Sequence, residues 1–289
     1  MKREEKKIFD INDLPRFSPW PARLFGIDPW ETKQKTPQEI DREYGCEKWG
    51  KLLEEIQESE KEVLIDEVDQ KFYKNPQNSL CSFGNQFELL PTLEAHQRYK
   101  RLVQNTIENY LPASAIVELG AGYGSLILDY VKQDRFAGLR FIAGEYTNSG
   151  IELIKKLSYA QHSEVEVVHC DFNASPAVNG EIPKDSIVFT SWAIACVSTL
   201  QSDFFKYLCD SCIKVAIHVE PCYEHYTPDT LIGLMRRQYI KINGYNSGFI
   251  TSLYKQQSQG VIEILEEKPA VMGINALAPV SIIVWRPCS

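Results

Sequence analysis

The sequence predicts an α/β fold in which a mostly parallel sheet is covered by helices on both faces. Two observations carry this prediction. From residue 116 onward, short apolar segments rich in β-branched residues alternate with longer amphipathic segments, a rhythm typical of βαβ units. The segment 116–125, IVELGAGYGS, also runs from an apolar strand through closely spaced glycines into a helical pattern. This is the order strand, glycine turn, helix.

The elements follow in order along the chain. Hydrophobic periodicity predicts seven strands, at 116–120, 140–145, 164–169, 186–191, 213–220, 261–266 and 281–285. The same criterion predicts helices at 92–110, 125–132, 149–160, 199–212 and 229–242. The segment 75–79, NPQNS, is predicted to be a linker turn.

The first 75 residues differ in character from the rest. Prolines interrupt any long element there, and exposing its several Phe and Trp side chains to water would be costly. Thr36 precedes Pro37 as in a capped helix start, and a second helix is predicted at 47–68. We therefore divide the chain into an extension, 1–75, that wraps onto a core domain, 76–289. Whether the extension is a lid over the site or only packing stays open at this point.

Composition excludes several classes of function. The chain has 289 residues and a formal net charge of −8. Its sequence lacks a basic stripe with interleaved aromatic residues, so we expect no nucleic-acid partner. No apolar run approaches the roughly 18 residues of a membrane span. The segment 1–7 is charged and leads into no apolar stretch, so we expect no signal peptide and a cytoplasmic location.

The eight cysteines include one C-x-x-C pair, Cys209 and Cys212. No second pair and no His at zinc-ligand spacing lies near it. Reduced thiols without a metal are the expected state, and we expect a reaction that needs no metal.

The glycine loop carries the functional signal. Gly120, Gly122 and Gly124 allow positive φ and let a ligand lie directly on the backbone at the start of a helix. A dinucleotide fingerprint would place glycine where Ser125 stands. The pattern E-x-G-x-G-x-G instead resembles motif I of the class I S-adenosylmethionine (SAM) dependent methyltransferases. That resemblance implies SAM as cofactor and a Rossmann-like seven-stranded sheet whose last strand inserts antiparallel.

The resemblance also implies roles for residues at successive strand ends. Glu118 would help orient the methionine amino group of SAM, and Glu145 would accept hydrogen bonds from the ribose hydroxyls. Asp171 would accept a hydrogen bond from the adenine amino group, with Phe172 packed on the purine. Ser191, at the end of the fourth strand, completes the expected cofactor-binding set; Tyr99 is a weaker candidate for which core packing is also expected.

The fifth strand supplies the candidates for catalysis. His218 and Glu220 are two residues apart, so they share one face of the strand. Imidazole titrates near operating pH, which makes His218 the candidate general base and Glu220 its partner or a ligand for a cationic substrate. A buried structural His remains the alternative. Two polar and aromatic clusters beyond this strand predict a substrate lining of Tyr223, Glu224, His225, Tyr239, Asn243, Tyr245 and Asn246.

The predicted function is methyl transfer from SAM to oxygen or nitrogen of a small polar metabolite, a sugar-containing natural product or a peptide side chain. The C-terminal half loosely resembles sugar and natural-product methyltransferases, which favours a hydroxyl, whereas the acidic residues favour an amine. Two alternatives stay open: a methyltransferase-like protein that binds SAM without turnover, and a nicotinamide-dependent oxidoreductase. The expected partner is a small molecule or peptide, with no nucleic acid and no membrane.

Overall fold

The computed structural model describes residues 9–59, 61–201 and 203–288. The charged N-terminal segment 1–7, and with it the start of the extension, lies outside these residues. Within them, no helix has the length and apolar character needed to span a bilayer.

A mixed sheet forms the centre of the molecule. Its strands are β3 (Ala115–Leu119), β4 (Arg140–Glu145), β5 (Glu166–Cys170), β6 (Val178–Asn179), β7 (Ile187–Ser191), β8 (Val215–Glu220), β9 (Ile262–Met272) and β10 (Val280–Pro287). Their order is β6-β5-β4-β3-β7-β8-β10-β9. The chain therefore has the predicted α/β Rossmann-like architecture, with helices on both faces of the sheet.

Strand directions follow the prediction except at one edge. β5, β4, β3, β7 and β8 are parallel, and β10 lies antiparallel between β8 and β9. The prediction of seven strands was too low by one, because the two-residue strand β6 pairs antiparallel with the end of β5. So short a segment has no hydrophobic period that a sequence pattern could register.

Helices cover the two faces of the sheet with separate hydrophobic cores. The helices of the core domain are α6 (Thr92–Glu108), α7 (Ile127–Tyr130), α8 (Asn148–Ala160), α9 (Phe204–Asp210), α10 (Leu231–Ile242) and α11 (Phe249–Ser258). Along β3, Ile116 packs into the core beneath α6, whereas its neighbour Val117 packs into the core beneath α9 and α11. This alternation is the period of two expected for a strand that is buried on both faces.

Several elements of the core domain differ from the sequence prediction. The segment preceding α6 is a β-hairpin of β1 (Asn78–Phe83) and β2 (Gln86–Pro91), which turns at Gly84 with φ of +60° and was not predicted. Helix α11 was also missed, although its buried residues Phe249, Ile250 and Leu253 follow the helical spacing. The helix predicted at 199–212 is confined to α9, since residues 199–201 are not helical and Cys212 has φ of +52°.

The extension contains α1 (Leu14–Phe17), α2 (Trp20–Leu24), α3 (Pro37–Ile40), a π-helical stretch (Asp41–Gly50), α4 (Lys51–Gln57) and α5 (Ile65–Phe72). Thr36 caps α3 as predicted, since its hydroxyl accepts from the Glu39 amide at 3.2 Å. The continuous helix predicted at 47–68 is wrong, because the chain leaves helical geometry after α4 and restarts at α5. The Trp20 ring packs edge-on against Tyr239 of α10, with centroids 4.6 Å apart.

Buried polar groups join the strands next to the site. The indole N–H of Trp285 donates to Nε2 of His218 at 2.9 Å. Because Nε2 accepts, a neutral His218 carries its proton on Nδ1 and donates it to the Thr190 hydroxyl, also at 2.9 Å. Burial lowers the pKa of His218 to about 3. His218 therefore serves as a neutral connector among β7, β8 and β10.

We expect His218→Asn to destabilise the fold. Asn is too short to serve Thr190 and Trp285 together, so one buried polar group loses its partner, at a cost of about 1–3 kcal/mol in free energy of unfolding. Urea unfolding followed by tryptophan fluorescence measures the loss, with His162→Asn at an exposed turn as the control. Unchanged stability would contradict the role of connector.

The comparison of wild type with His218→Asn also gives a pH test. The folded-state pKa of His218 lies below its ordinary value of 6.5, so the unfolded chain binds more protons between these values and the contribution of His218 weakens as pH falls through this window. The difference in stability between wild type and His218→Asn should therefore shrink below pH 6.5, by at most about 1.4 kcal/mol per pH unit. A difference that stays constant from pH 7 to pH 4.5 would contradict this interpretation.

Candidate active site

A cavity of about 450 Å³ opens at the carboxyl ends of β3, β4, β5 and β7. This volume falls within the roughly 300–1,000 Å³ of small-molecule sites. Its walls are rich in aromatic rings, namely Tyr44, Trp49, Phe72, Tyr73, Tyr99, Tyr123, Tyr146, Phe172, Trp192 and Tyr245. The location is the edge at which parallel α/β sheets bind ligands.

The glycine loop forms the floor of this cavity. Gly120, Gly122 and Gly124 have φ of +78°, +60° and +84°, the positive values that the spacing predicted. A Cβ at Gly120 would lie 2.3 Å from the Cβ of Ala193, so the loop can approach the chain after β7 only as glycine. Gly124 is outside the cavity wall, and a Cβ there would meet Leu128 at 2.9 Å. Its role is packing of the loop onto α7.

Two buried carboxylates face the cavity from neighbouring strands. Glu145 accepts from the Gly122 amide at 2.9 Å and from the amide and hydroxyl of Thr147 at 2.9 and 2.7 Å. Glu118 accepts from the Ile127 amide at 3.1 Å. Burial raises the pKa of both carboxyls, and these hydrogen bonds only partly offset it. A cationic ligand in the cavity would favour the charged form of both carboxyls.

The remaining predicted cofactor residues also line the cavity. Asp171 and Phe172 follow β5, and Asp171 Oδ1 accepts from the Asn173 amide at 2.8 Å. Ser191 ends β7, and its hydroxyl lies 2.6 Å from the Tyr99 hydroxyl. The structure thus brings together Glu118, Gly120, Gly122, Glu145, Asp171, Phe172 and Ser191 around one cavity.

The extension supplies a wall that the sequence did not specify. Trp49 stands over the glycine loop, since a Cβ at Gly122 would lie 3.0 Å from its ring. Tyr44 contributes a second ring, and its hydroxyl lies 3.2 Å from the Cys196 sulfur. Lys48 lies beside these rings at the cavity, with Nζ 3.9 Å from the Tyr44 ring centroid.

A buried polar network lies behind the glycine loop. Asp69 of α5 accepts from the hydroxyls of Tyr123 and Ser125 at 2.7 and 2.9 Å, and Lys100 donates to it at 2.8 Å. His96 Nε2 lies 3.0 Å from the Ser125 hydroxyl and 3.4 Å from Asp69. Burial alone would raise the pKa of Asp69, but His96 and Lys100 outweigh it and hold the pKa at about 2. Asp69 therefore stays charged.

His96, Tyr73 and Asp69 were not among the predicted site residues. In sequence, His96 precedes Tyr99 by three positions, which places both on one face of the predicted helix. That spacing was the available signal, but it is equally typical of two residues packed in a core.

The structure does not support the predicted catalytic pair. His218 is fully buried and outside the cavity wall, and both its ring nitrogens are already hydrogen-bonded. Glu220 accepts from the amides of Ala193, Ile194 and Ala195 at 3.0–3.2 Å. Burial raises the pKa of Glu220 to about 7, against the effect of these amides. Glu220 thus holds the loop after β7 from beneath, and His218 connects β7 and β8 to β10.

The predicted substrate lining is corrected in the same way. Among the seven residues, Tyr245 alone belongs to the described cavity wall. Glu224 accepts from the Thr251 amide, and His225 is held between Ser281 and Glu267 at 2.7 and 2.6 Å. Contacts within the fold account for the other four candidates. The Tyr223 ring lies beneath Arg237, and Tyr239 packs on Trp20. Asn243 donates to the Tyr239 carbonyl, and Asn246 accepts from the Gly248 amide.

The cysteines of the C-x-x-C pair are free thiols. Among the residues that the structure describes, no group of His, Cys, Asp and Glu side chains has an arrangement that could hold a metal ion.

Comparison with known proteins gives a likeness in fold only. No protein-family profile matches the sequence, and no curated protein matches it. The structure is similar to magnesium protoporphyrin IX methyltransferase from Synechocystis PCC 6803, solved with bound S-adenosylhomocysteine (SAH). The TM-score is 0.53 at 10% identity, over 87% of this chain and 100% of that one.

Two further structures are similar at lower scores. The plantazolicin methyltransferase BpumL, in complex with a substrate analogue and SAH, aligns at TM-score 0.48 and 11% identity over 88% of this chain and 99% of that one. A SAM-dependent methyltransferase from Clostridium acetobutylicum aligns at TM-score 0.46 and 10% identity over 67% of this chain and 92% of that one. From its sheet order, its glycine loop and the first of these likenesses, the chain has the fold of the class I SAM-dependent methyltransferases.

Proposed function

We propose that this protein is a SAM-dependent methyltransferase acting on oxygen or nitrogen of a small polar metabolite, a sugar-containing natural product or a peptide side chain. One observation carries the proposal. Two of the predicted motif I glycines, Gly120 and Gly122, line one cavity together with the three acidic residues near successive strand ends, Glu118, Glu145 and Asp171. A binding protein for an unrelated ligand would not require this combination.

The residues of the cavity fit SAM chemically. SAM carries a sulfonium and an ammonium, and the cavity offers two buried carboxylates, Glu118 and Glu145, among aromatic rings that favour cations. The loop from Gly120 to Gly122 presents backbone with only the methyl group of Ala121 as a side chain. Asp171 and Phe172 supply an acceptor and an apolar ring for the adenine.

SAM, when bound, supplies an electrophilic methyl group on a positively charged sulfur. The chain's part is to bind, to orient and to exclude water. Trp49 closes the cavity over the glycine loop, and Glu220 fixes the loop from Ala193 to Ala195 beside it. The acceptor would enter beside Trp192 and Tyr245, rings of the wall that the cofactor residues leave free.

The acceptor is a hydroxyl or amine that fits an aromatic environment. Glu220 and Glu224, the acidic residues expected to favour a cationic acceptor, both accept from backbone amides. Lys48 of the wall is ion-paired with Glu43, with its Nζ 3.0 Å from Oε1, so it adds no unpaired positive charge. The positions of Glu220 and Glu224 support an uncharged polar acceptor over a cationic one.

The extension would act as a lid. Its segment from Ile40 to Trp49 contributes side chains to the cavity, and Ser149 of α8 donates to the Gly45 carbonyl at 2.7 Å. Closing this segment over bound cofactor would exclude water from the methyl group.

The first prediction concerns the cofactor. SAH should bind to the purified protein with measurable heat, since the carboxylates and glycine loop match its ammonium, ribose and adenine. NADH should not bind. Calorimetry with each ligand on protein of verified fold makes the comparison, and absence of heat with SAH would refute the proposed function.

The second prediction concerns Glu145. Glu145→Gln should weaken SAH binding by about tenfold or more, because a charge-assisted hydrogen bond contributes about 1.5–3 kcal/mol and about 1.4 kcal/mol is one decade. Glu152→Gln, at an exposed position of α8, is the matched control. Equal dissociation constants of SAH for the two variants would show that Glu145 does not bind the ribose.

The third prediction concerns the lid. Amides of the π-helical stretch Asp41–Gly50 should exchange with deuterium more slowly when SAH is bound, because closure over a ligand removes local opening. Amides of α11, which lies outside the cavity wall, serve as the internal control. If exchange in Asp41–Gly50 is not slower with SAH bound, the extension packs on the core domain but does not act as a lid.

A further inference from the structure

His96 lines the cavity from helix α6, yet nothing in the proposed cofactor site uses it. Its side chain is 3% exposed, and its Nδ1 is buried without a hydrogen-bond partner among the described residues. Leaving a buried polar atom unpaired costs about 1–3 kcal/mol. Such an atom in a cavity wall points to a ligand group that completes it.

The surrounding hydrogen bonds determine which ring nitrogen of His96 carries the proton. A charged Asp69 can only accept hydrogen bonds, so the Ser125 hydroxyl donates its one hydrogen to Asp69. The Ser125 oxygen must then accept from His96, which places a proton on Nε2. In the neutral ring the unpartnered Nδ1 is therefore a bare lone pair, the form that can take up a proton.

The charges around His96 support this state. Asp69 of α5 lies 3.4 Å from Nε2 of His96, and Asp129 of α7 adds further negative charge. Lys100, on α6 with His96, adds positive charge. The Tyr73 ring stacks on the imidazole with centroids 3.8 Å apart, and Tyr123 donates to Asp69 from the glycine loop. Burial lowers the pKa of His96 and Asp69 opposes that effect. The ring is thus neutral at pH 7, with a carboxylate ready to stabilise its protonated form.

We propose that His96, oriented by Asp69 and Ser125, is the general base that deprotonates the methyl acceptor. This assignment rests on the proposed function and replaces His218 in that role. The acceptor oxygen or nitrogen bonds to the methyl carbon while the carbon–sulfur bond breaks and leaves its electron pair on sulfur. The acceptor's proton passes to Nδ1, and the resulting imidazolium keeps Nε2–H on Ser125 and Asp69 until the proton leaves to solvent.

The position of His96 on α6 agrees with this role. Tyr99, on the same face of the helix, reaches Ser191 at the end of β7 with its hydroxyl. Ser125 follows directly on the glycine loop. His96 therefore stands where the floor of the cavity meets the wall shared by α6 and β7, within the space that cofactor and acceptor would share.

The test compares wild type with His96→Gln, whose amide can still donate to Ser125 but cannot take up a proton. With radiolabelled SAM and a probe panel of catechol, methyl glucoside and tyramine, we expect turnover to fall about 10²–10⁴-fold. The dissociation constant of SAH should stay within about twofold. Wild-type kcat/KM should rise with pH up to the pKa of His96, and this acid limb should vanish in the variant. Imidazole should partly restore turnover in His96→Gly.

A second readout needs no acceptor. In nitrogen-15 spectra of histidine-labelled protein, one ring should show the Nε2–H tautomer with a bare Nδ1 both before and after SAH is added, and this signal should be missing from His96→Gln. His162→Gln, at an exposed turn, controls for assignment and stability. This spectrum tests the tautomer that the role of base requires, even if no panel member is methylated.

Three outcomes would overturn the proposal: turnover of His96→Gln within threefold of wild type, a proton on Nδ1, or a bare Nδ1 that becomes hydrogen-bonded when SAH binds. The last would make His96 an anchor for the cofactor. Failure of SAH to bind wild type would refute the proposed function instead, and the spectrum distinguishes that result from a misassigned base.

Discussion

The buried carboxylate of Asp69 is the contact on which the candidate site depends. It joins α5 of the extension to Lys100 of α6 and to Tyr123 and Ser125 of the glycine loop. A buried charge is costly unless it is paired and hydrogen-bonded, and Asp69 meets that condition only when all three segments are in place. The extension, the helix before the glycine loop and the loop itself are thereby held as one unit.

A second constraint acts from the opposite side of the cavity. Glu220 holds three consecutive amides of the loop after β7, and the Thr190 and His218 side chains continue the chain of hydrogen bonds to Trp285 of β10. The close approach of Gly120 to Ala193 joins the two constraints. The cavity is therefore shaped by groups behind its walls, with the groups on its surface left for ligands.

Much of the fold, and the strand ends at which the candidate cofactor residues lie, could be predicted because both depend on local patterns. The strand β4 was predicted at its observed bounds, and Glu145 at its end follows from strand period and loop position. The hairpin before α6 was missed because its pattern is short, and its pairing with a turn at Gly84 depends on tertiary contacts. His218 was misjudged for a related reason: a strand pattern places it near the edge but does not show that Trp285 and Thr190 occupy both nitrogens. Asp69 and His96 meet across a long separation in sequence, which one chain without its fold does not reveal.

The packing of the extension bears on how the protein is made. Trp20 packs on Tyr239, and the Lys33 amide donates to the Ile242 carbonyl at 3.0 Å. A ribosome releases the N-terminal residues first, so this aromatic segment emerges long before α10, against which it packs. Trp20 can meet Trp30 of the same segment early, but it stays without Tyr239 until α10 has emerged, and the cavity wall lacks residues 272–275 until they follow. The nascent chain thus exposes the apolar surface of this segment until α10 has emerged, and a chaperone could cover that surface during the interval.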